Sequence, residues 1–157
     1  MVYVFDASAF VVIPLQVDDD AHVLDELGEC IERGVVCFPD AVVDEVARLA
    51  RDEHLAAWIR AIRSARTHKA ANFKALQWVL HAADGLVDKT ATHESSPPHV
   101  VALAVELRDA GMETTVVTED MHEKPTRMCM REACDVFDLE RIYLMDCLER
   151  LGLVTAD

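Results

Sequence analysis

Short apolar runs, each followed by polar or turn-forming residues, recur along the chain. Three of them stand out, at Val2–Phe5, at residues 35–38 and at residues 114–118. Runs of this length predict strands that are buried on both faces, as in a parallel sheet. Val136 and Phe137 predict a fourth, very short strand. Since these runs alternate with helical patterns, we expect an α/β domain with a short parallel sheet of about four strands flanked by helices.

Between the runs, apolar residues recur at helical spacing. They predict helices over residues 21–33, from about residue 40, one or two over 56–80, one from about 99 to 109, and a closing helix over 142–151. Ser8 is a candidate cap for an earlier helix that Pro14 would disturb. Gly34 and Gly111 are suited to ending the helices before them. The polar stretch 84–96 predicts a loop, and residues 1–157 are expected to form one domain.

Charge is distributed unevenly along the 157 residues. The net charge is −14, and an acidic surface repels nucleic acid. Residues 48–74, however, hold seven Lys and Arg against Asp52 and Glu53, which gives +5 there and leaves −19 for the remainder. We therefore predict a basic helical segment over residues 48–80. Its charges at Arg60, Arg63, Arg66 and Lys69 recur every three residues. They would either track RNA phosphates or form an ordinary solvated face.

The apolar runs and the cysteines bear on the cellular location of the protein and on the redox state of its thiols. No apolar run is long enough to cross a bilayer, and no basic region precedes the first apolar stretch, so we expect a cytoplasmic protein without membrane association. The five cysteines are odd in number and irregularly spaced, which favours buried, reduced thiols. Cys129 and Cys134 with His122 are an alternative metal site, although no CxxC pair supports it.

Carboxylates follow the predicted strands at three places. Asp6 and Asp120 come at the ends of two strands, and Glu45 lies in the helix that follows another. In open parallel sheets, ligands bind outside the carboxyl ends of the strands, so these acids are expected to converge. Oxygen ligands of this kind suit Mg²⁺ or Mn²⁺. The alternative is that each Asp simply caps a helix, in a chain with 29 acidic residues.

Three sequence blocks resemble those of PIN domains, which include the toxins of VapBC toxin–antitoxin pairs. Val4-Phe-Asp6-Ala-Ser-Ala9 resembles the opening block, a strand followed by Asp and then a small or polar residue. Phe38-Pro-Asp-Ala-Val-Val-Asp-Glu45-Val resembles the block with Glu on a helix. Thr114-Thr-Val-Val-Thr118-Glu-Asp120 resembles the strand followed by Thr-x-Asp. Their order and spacing match the family over nearly the whole chain.

The resemblance implies a PIN-like three-layer sandwich and a metal-dependent endoribonuclease. Asp6, Glu45 and Asp120 match the catalytic metal ligands of the family, with Mg²⁺ or Mn²⁺ as cofactor. Ser8 and Thr118 match positions that orient the site through hydrogen bonds; helix capping or ordinary strand-end bonding is their alternative role. RNA is the implied substrate and a small antitoxin protein an implied partner. We also expect a homodimer.

The chain departs from the PIN pattern at the third acidic position. Counting back seven residues from Ala104 leads to Pro97, which cannot bind metal. Glu94 and His99 are the nearest possible substitutes, and we take Glu94 as a candidate ligand. The departure keeps two other hypotheses open. One is a catalytically silent PIN-like module that binds RNA or protein, and the other is an acidic chain whose charge serves solubility in high salt.

Overall fold

Four parallel strands form one sheet in the computed structural model, which describes residues 1–156. The strands are β1 (Val2–Phe5), β2 (Val36–Cys37), β3 (Thr114–Val117) and β4 (Glu140–Ile142). Every residue of β1 and β2 is buried, so helices cover both faces of the sheet. The expected α/β architecture, a short parallel sheet flanked by helices as in a PIN-like three-layer sandwich, is confirmed. Asp157, the last residue of the predicted domain, lies outside the described residues.

Helices connect the strands, and most of them lie where the helical patterns predict. They are α1 (Ala7–Val11), α2 (Ile13–Gln16), α3 (Asp20–Glu32), α4 (Asp40–Leu49), α5 (Glu53–Ile62), α6 (Phe73–Ala82), α7 (Pro97–Asp109), α8 (Met130–Val136) and α9 (Leu144–Arg150). Short 3₁₀ turns occur at Arg63–Ala65 and Asp84–Leu86. Across residues 1–156, none of the helices has the length and apolarity needed to traverse a bilayer.

The strand order creates a reversal point beside β1. The sheet runs β2-β1-β3-β4, so the chain leaves β1 toward one edge and returns to the other side of β1 as β3. All neighbours are parallel, and Phe5 of β1 is in register with Val117 of β3. In open α/β sheets, ligands bind at such a reversal, outside the carboxyl ends of the two strands. Asp6 and Thr118 directly follow these two strand ends.

An aromatic cluster fixes the helix that leaves this edge. The Phe10 ring on α1 lies 5.0 Å from the Phe5 ring and 5.0 Å from the Phe38 ring, measured between centroids. Trp58 of α5 closes the cluster at 5.9 Å from Phe10. The three Phe side chains are fully buried. Their packing holds the start of α1, and with it Asp6 and Ser8, against the sheet.

The structure corrects the position of the fourth strand. Val136 and Phe137 do not form the fourth strand, because they end helix α8, whose inner side packs Ala133 and Cys134 into the core. Asp138, with φ of 53°, follows that helix in the left-handed region. The fourth strand is β4. It lies at the edge of the sheet and contains the charged residues Glu140 and Arg141, so it does not form an apolar run in the sequence.

The region around Pro14 forms two short helices, whereas the sequence predicts one helix that Pro14 would disturb. Asp6, and not Ser8, caps α1, because the Asp6 carboxylate accepts a hydrogen bond from the Ala9 amide. Pro14 opens the separate helix α2, where a first-turn proline costs no hydrogen bond. Helix α7 likewise begins at Pro97, two residues before the predicted start.

Candidate active site

A pocket of about 260 Å³ opens at the reversal point of the sheet. It is lined by Asp6, Ala7, Ser8, Val11, Val12, Glu45, Leu49, Ser96, Pro97, Asp120 and Arg127. The three acids that the sequence singled out therefore line one pocket, and Pro97, the position of the missing acid, lines it too. Helices α1, α4 and α7 each contribute one wall, and the loop after β3 contributes another.

Asp6 is the most constrained carboxylate of the pocket. Its Oδ1 accepts hydrogen bonds from the Ser8 hydroxyl at 2.6 Å and from the Ala9 amide at 3.0 Å, and its Oδ2 accepts one from the Thr118 hydroxyl. Burial raises the pKa of Asp6 to about 6; the three hydrogen bonds partly oppose this rise, and the nearby Asp120 charge adds to it. Ser8 and Thr118 thus contact the candidate ligand directly, and Asp6 is also a helix cap.

Asp120 is buried, yet only one of its oxygens is hydrogen bonded. Oδ2 accepts from Arg127 Nη1 at 2.7 Å and from the backbone amide of Met130, the first residue of α8, at 3.2 Å. Oδ1 is buried without a hydrogen-bond partner. The Lys124 ammonium lies 3.4 Å from Oδ1, an ion-pair distance without hydrogen-bond geometry. The backbone amide of Asp120 also donates to the Thr118 hydroxyl oxygen at 3.0 Å, which connects the Asp120 backbone to the Asp6 network.

Glu45 reaches the pocket from α4. Its Oε2 accepts a hydrogen bond from the Ser96 hydroxyl, and its Oε1 lies 3.9 Å from the Arg48 guanidinium. Ser96 is almost fully buried and directly precedes Pro97 at the start of α7. The residue beside the missing acid therefore positions the second candidate ligand.

The three acids of the pocket keep oxygen atoms that are not fully hydrogen bonded. Asp120 Oδ1 has no hydrogen bond, Asp6 Oδ2 has one, and Glu45 Oε1 has only the distant Arg48. Each ionised carboxylate oxygen can accept about two hydrogen bonds, so capacity for a hard cation remains on all three side chains. Across residues 1–156, however, no three His, Cys, Asp or Glu side chains form a ready-made ligand cluster. The three acids share a pocket without being drawn together around one point.

Two other candidate ligands lie elsewhere. Glu94 is largely exposed and contacts His99, with 2.7 Å between Glu94 Oε1 and His99 Nε2. Both residues line a neighbouring pocket that includes Leu76, Leu80 and Pro98, and neither lines the acidic one. The structure therefore does not bring Glu94 to the pocket of the other three acids. The reason is that Ser96 and Pro97 turn inward at the start of α7, and Glu94 precedes them in the loop.

The basic segment over residues 48–80 spans several elements of the fold. It includes the end of α4, then α5, a 3₁₀ turn, a loop and most of α6. Arg66 is buried and donates to the Phe38 and Arg63 carbonyls and to the Asp40 carboxylate. Arg66 therefore braces the loop before α4, and its guanidinium cannot reach a phosphate. Arg60, Arg63 and Lys69 remain exposed, although Arg63 also lies 3.4 Å from Asp40.

The cysteines are buried thiols, as the sequence predicts. All five are free and buried. Burial raises the pKa of Cys134 to about 12, so this thiol stays protonated at neutral pH. Within the described residues, Cys129, Cys134 and His122 form no metal-ligand group.

Sequence reasoning missed three residues that the fold adds to the site. Ser96, Lys124 and Arg127 contact Glu45 or Asp120 in the structure. Lys124 stands four residues after Asp120, but this spacing only signals a contact on a helix, and here it lies in a loop. The sequence indicated Ser96 only through its position next to Pro97, where the missing acid is expected. Nothing in the sequence indicated that Arg127 belongs to the site.

Comparison with known proteins gives one family. A model described as Domain of unknown function (DUF4411) matches residues 3–155. The chain belongs to the DUF4411 family. No curated protein matches the chain. The matched family is described as one of unknown function, and no PIN family model matches, so the PIN resemblance continues to rest on the three sequence blocks. The DUF4411 match spans all the residues of the acidic pocket.

Proposed function

We propose that this protein is a metal-dependent endoribonuclease of PIN type. The observation that carries the proposal is the shared pocket of Asp6, Glu45 and Asp120 at the reversal point of a parallel sheet. The buried Oδ1 of Asp120 supports it, because this anionic oxygen has no hydrogen bond and only the Lys124 ammonium at 3.4 Å, so it retains capacity for a metal cation. The resemblance to PIN domains supplies the reaction class.

The residues of the pocket would divide the work. Asp6, Glu45 and Asp120 would hold Mg²⁺ or Mn²⁺, which when bound supplies an activated water and neutralises charge on the phosphodiester. Ser8 and Thr118 fix the Asp6 carboxylate, and Ser96 fixes Glu45. The Met130 amide and Arg127 fix Asp120 Oδ2 and leave Oδ1 without a hydrogen bond, so a metal would bind at Oδ1 beside or in place of the Lys124 ammonium. Glu45 and Asp120 are therefore held by hydrogen bonds on one oxygen, and Asp6 is held on both.

RNA cleavage with and without metal tests this proposal. We expect the purified chain to cleave single-stranded RNA in Mn²⁺ and to stop when EDTA is added. Cleavage that continues unchanged in excess EDTA would contradict a metal-dependent mechanism. Absence of both cleavage and Mn²⁺ binding would leave the pocket without an enzymatic role.

The proposed partners rest on the resemblance. A toxin of this type would be restrained by a small antitoxin protein, and a homodimer would be its usual assembly. An antitoxin arginine would suit the acidic pocket, because a carboxylate pair binds a guanidinium well. Arg127 of this chain already contacts Asp120 from within. An antitoxin would therefore have to reach Asp6 or Glu45 from the open side of the pocket.

A catalytically silent binding module is the second candidate. The protein's own cations favour it: Arg127 and Lys124 lie against Asp120, and Arg48 lies near Glu45. Three positive charges thus balance three acids, which lessens the electrostatic need for a metal. In that case the pocket would bind RNA or protein without hydrolysing it. Mn²⁺ affinity separates the two candidates, since only the enzyme requires it.

Restoring an acid at position 97 should strengthen metal binding. Pro97 lines the pocket in the first turn of α7, where Asp is well tolerated. We expect Pro97→Asp to bind Mn²⁺ roughly tenfold more tightly, because cation affinity rises with the number of charged oxygen ligands. Calorimetric titration would measure it. Pro97→Asn, with the same shape and no charge, is the control. Equal affinity in the two variants would show that position 97 does not reach the cation.

A further inference from the structure

The Arg127 guanidinium uses only part of its hydrogen-bonding capacity on the protein. Nη1 donates to Asp120 Oδ2 at 2.7 Å and to the Met128 carbonyl at 2.9 Å. Within residues 1–156, Nε and Nη2 have no hydrogen-bonded protein acceptor, although the side chain is largely buried and lines the acidic pocket. A guanidinium carries five N–H donors in a rigid plane. One nitrogen therefore anchors Arg127, and the other two retain donors for another acceptor.

The local charge permits an anion as that acceptor. Arg127 and Lys124 both lie within ion-pair distance of Asp120, and Asp6 is the other acid close by. Glu45 is separate, because it lies near Arg48 on another wall. Two positive charges therefore face two carboxylates in this corner of the pocket. An anion with several oxygens would satisfy the open donors of Arg127 there.

We propose that Arg127 is a substrate-binding residue that takes a non-bridging oxygen of the RNA phosphodiester next to Asp120. This inference rests on the proposed nuclease function and names a contact that the acids cannot make. Planar, bidentate recognition of phosphate oxygens is the geometry that distinguishes Arg from Lys. The anchor through Nη1 fixes the guanidinium in advance, so little side-chain entropy is lost when the phosphate arrives.

RNA binding in a protein that cannot cleave tests the contact. Asp6→Asn would be the background, and a short fluorescent single-stranded RNA of mixed sequence would be titrated in EDTA and in Mn²⁺. Adding Arg127→Gln should weaken binding roughly 10- to 100-fold, as expected for a lost hydrogen bond to a charged group. The slope of log affinity against log salt should fall by about 0.7, the value for one phosphate contact on a single strand.

Two further variants make the result specific. Arg131→Gln removes the same charge four residues away, on a side chain that lines a different pocket, and should bind RNA like the background. Arg127→Lys keeps the charge but not the planar fork, so it should keep the salt slope and lose part of the affinity. If the melting curve shows that Arg127→Gln does not fold, Arg127→Lys is the test. Reduced RNA affinity with an unchanged salt slope in Arg127→Lys would then support the contact.

Three results would overturn the inference. The first is unchanged affinity and salt slope in Arg127→Gln. The second is tighter Mn²⁺ binding and faster cleavage when Arg127→Gln is made in the wild-type chain, which would make Arg127 a competitor of the metal. The third is a background protein that binds no RNA in either buffer. Failure of the nuclease proposal looks different: wild type would not cleave in Mn²⁺, while Arg127→Gln would still weaken RNA binding.

Discussion

Asp120→Asn is expected to abolish both RNA cleavage and the response of the protein to Mn²⁺. In wild type, Mn²⁺ should raise the melting temperature, because a ligand that binds only the folded state stabilises it by mass action. Asp120 Oδ1 is the buried oxygen without a partner, and the substitution removes its charge while keeping the shape of the side chain. Cleavage should fall by more than about 100-fold, the upper range for residues that only support a metal ligand. Thermal melts and cleavage rates measure the two effects.

Glu119→Gln is the matched control for this experiment. Glu119 is the neighbouring acid, but its Oε1 accepts a hydrogen bond from the Leu144 amide at 2.8 Å and it does not line the pocket. The amide oxygen of Gln can accept the same bond, so this variant should keep its Mn²⁺ response and its cleavage. A wild-type response to Mn²⁺ in Asp120→Asn would show that the cation binds elsewhere. It would then favour the silent binding module.

Without metal, the protein should lose stability as the pH rises from about 4 to 6. Burial raises the pKa of Asp6 to about 6, against an ordinary value of 3.8. Between these two pKa values, the folded protein keeps a proton on Asp6 that the unfolded chain has released. The resulting contribution to the free energy of unfolding is fully present below the pKa of Asp6 in the unfolded chain, and it is lost as the pH rises through the pKa of Asp6 in the folded protein. The difference corresponds to roughly 3 kcal/mol in the free energy of unfolding. The direction is opposite to that of an ordinary ion-paired carboxylate.

Asp6→Asn should remove this pH dependence. In EDTA at pH 8 the variant should be more stable than wild type, by up to about 3 kcal/mol or about 10 °C in melting temperature. Denaturant unfolding at several pH values would measure it. Asp19→Asn, at the exposed cap of α3, makes the same chemical change away from the pocket and should leave the pH profile unchanged. A wild-type profile in Asp6→Asn would mean that another group is responsible.

The Mn²⁺ response and the pH dependence both report the unfavourable free energy of ionising a buried carboxylate in the folded protein. A buried carboxylate that must ionise in the native state is unfavourable for stability, and a bound cation offsets it. A nuclease would accept this cost because the ligand has to be charged when the metal binds. A silent module has no such requirement. Stabilisation by Asp6→Asn together with loss of the Mn²⁺ response would therefore support a site selected for function over stability.

Local patterns determined most of the sheet. Strands β1, β2 and β3 were predictable because they are buried on both faces and read as apolar runs ending in turn or polar residues. Strand β4 was not, because an edge strand beside solvent can carry Glu140 and Arg141. Helix α8 took the place of the predicted strand at Val136 and Phe137. A short apolar pair fits either element, and only packing against the core decides.

The sequence by itself indicated the three acids, since Asp6, Glu45 and Asp120 follow strand signals that a parallel sheet brings to one edge, and the PIN resemblance implied their two hydroxyl neighbours. Only the tertiary structure decided which other side chains meet them. Ser96 and Arg127 reach the pocket through loops whose course no periodic pattern describes. The same loops direct Glu94 to another pocket, and the brace on Asp40 draws Arg66 into the interior. Strand ends are positioned by backbone pairing, which local sequence encodes, whereas loop side chains are positioned by long-range contacts, which it does not.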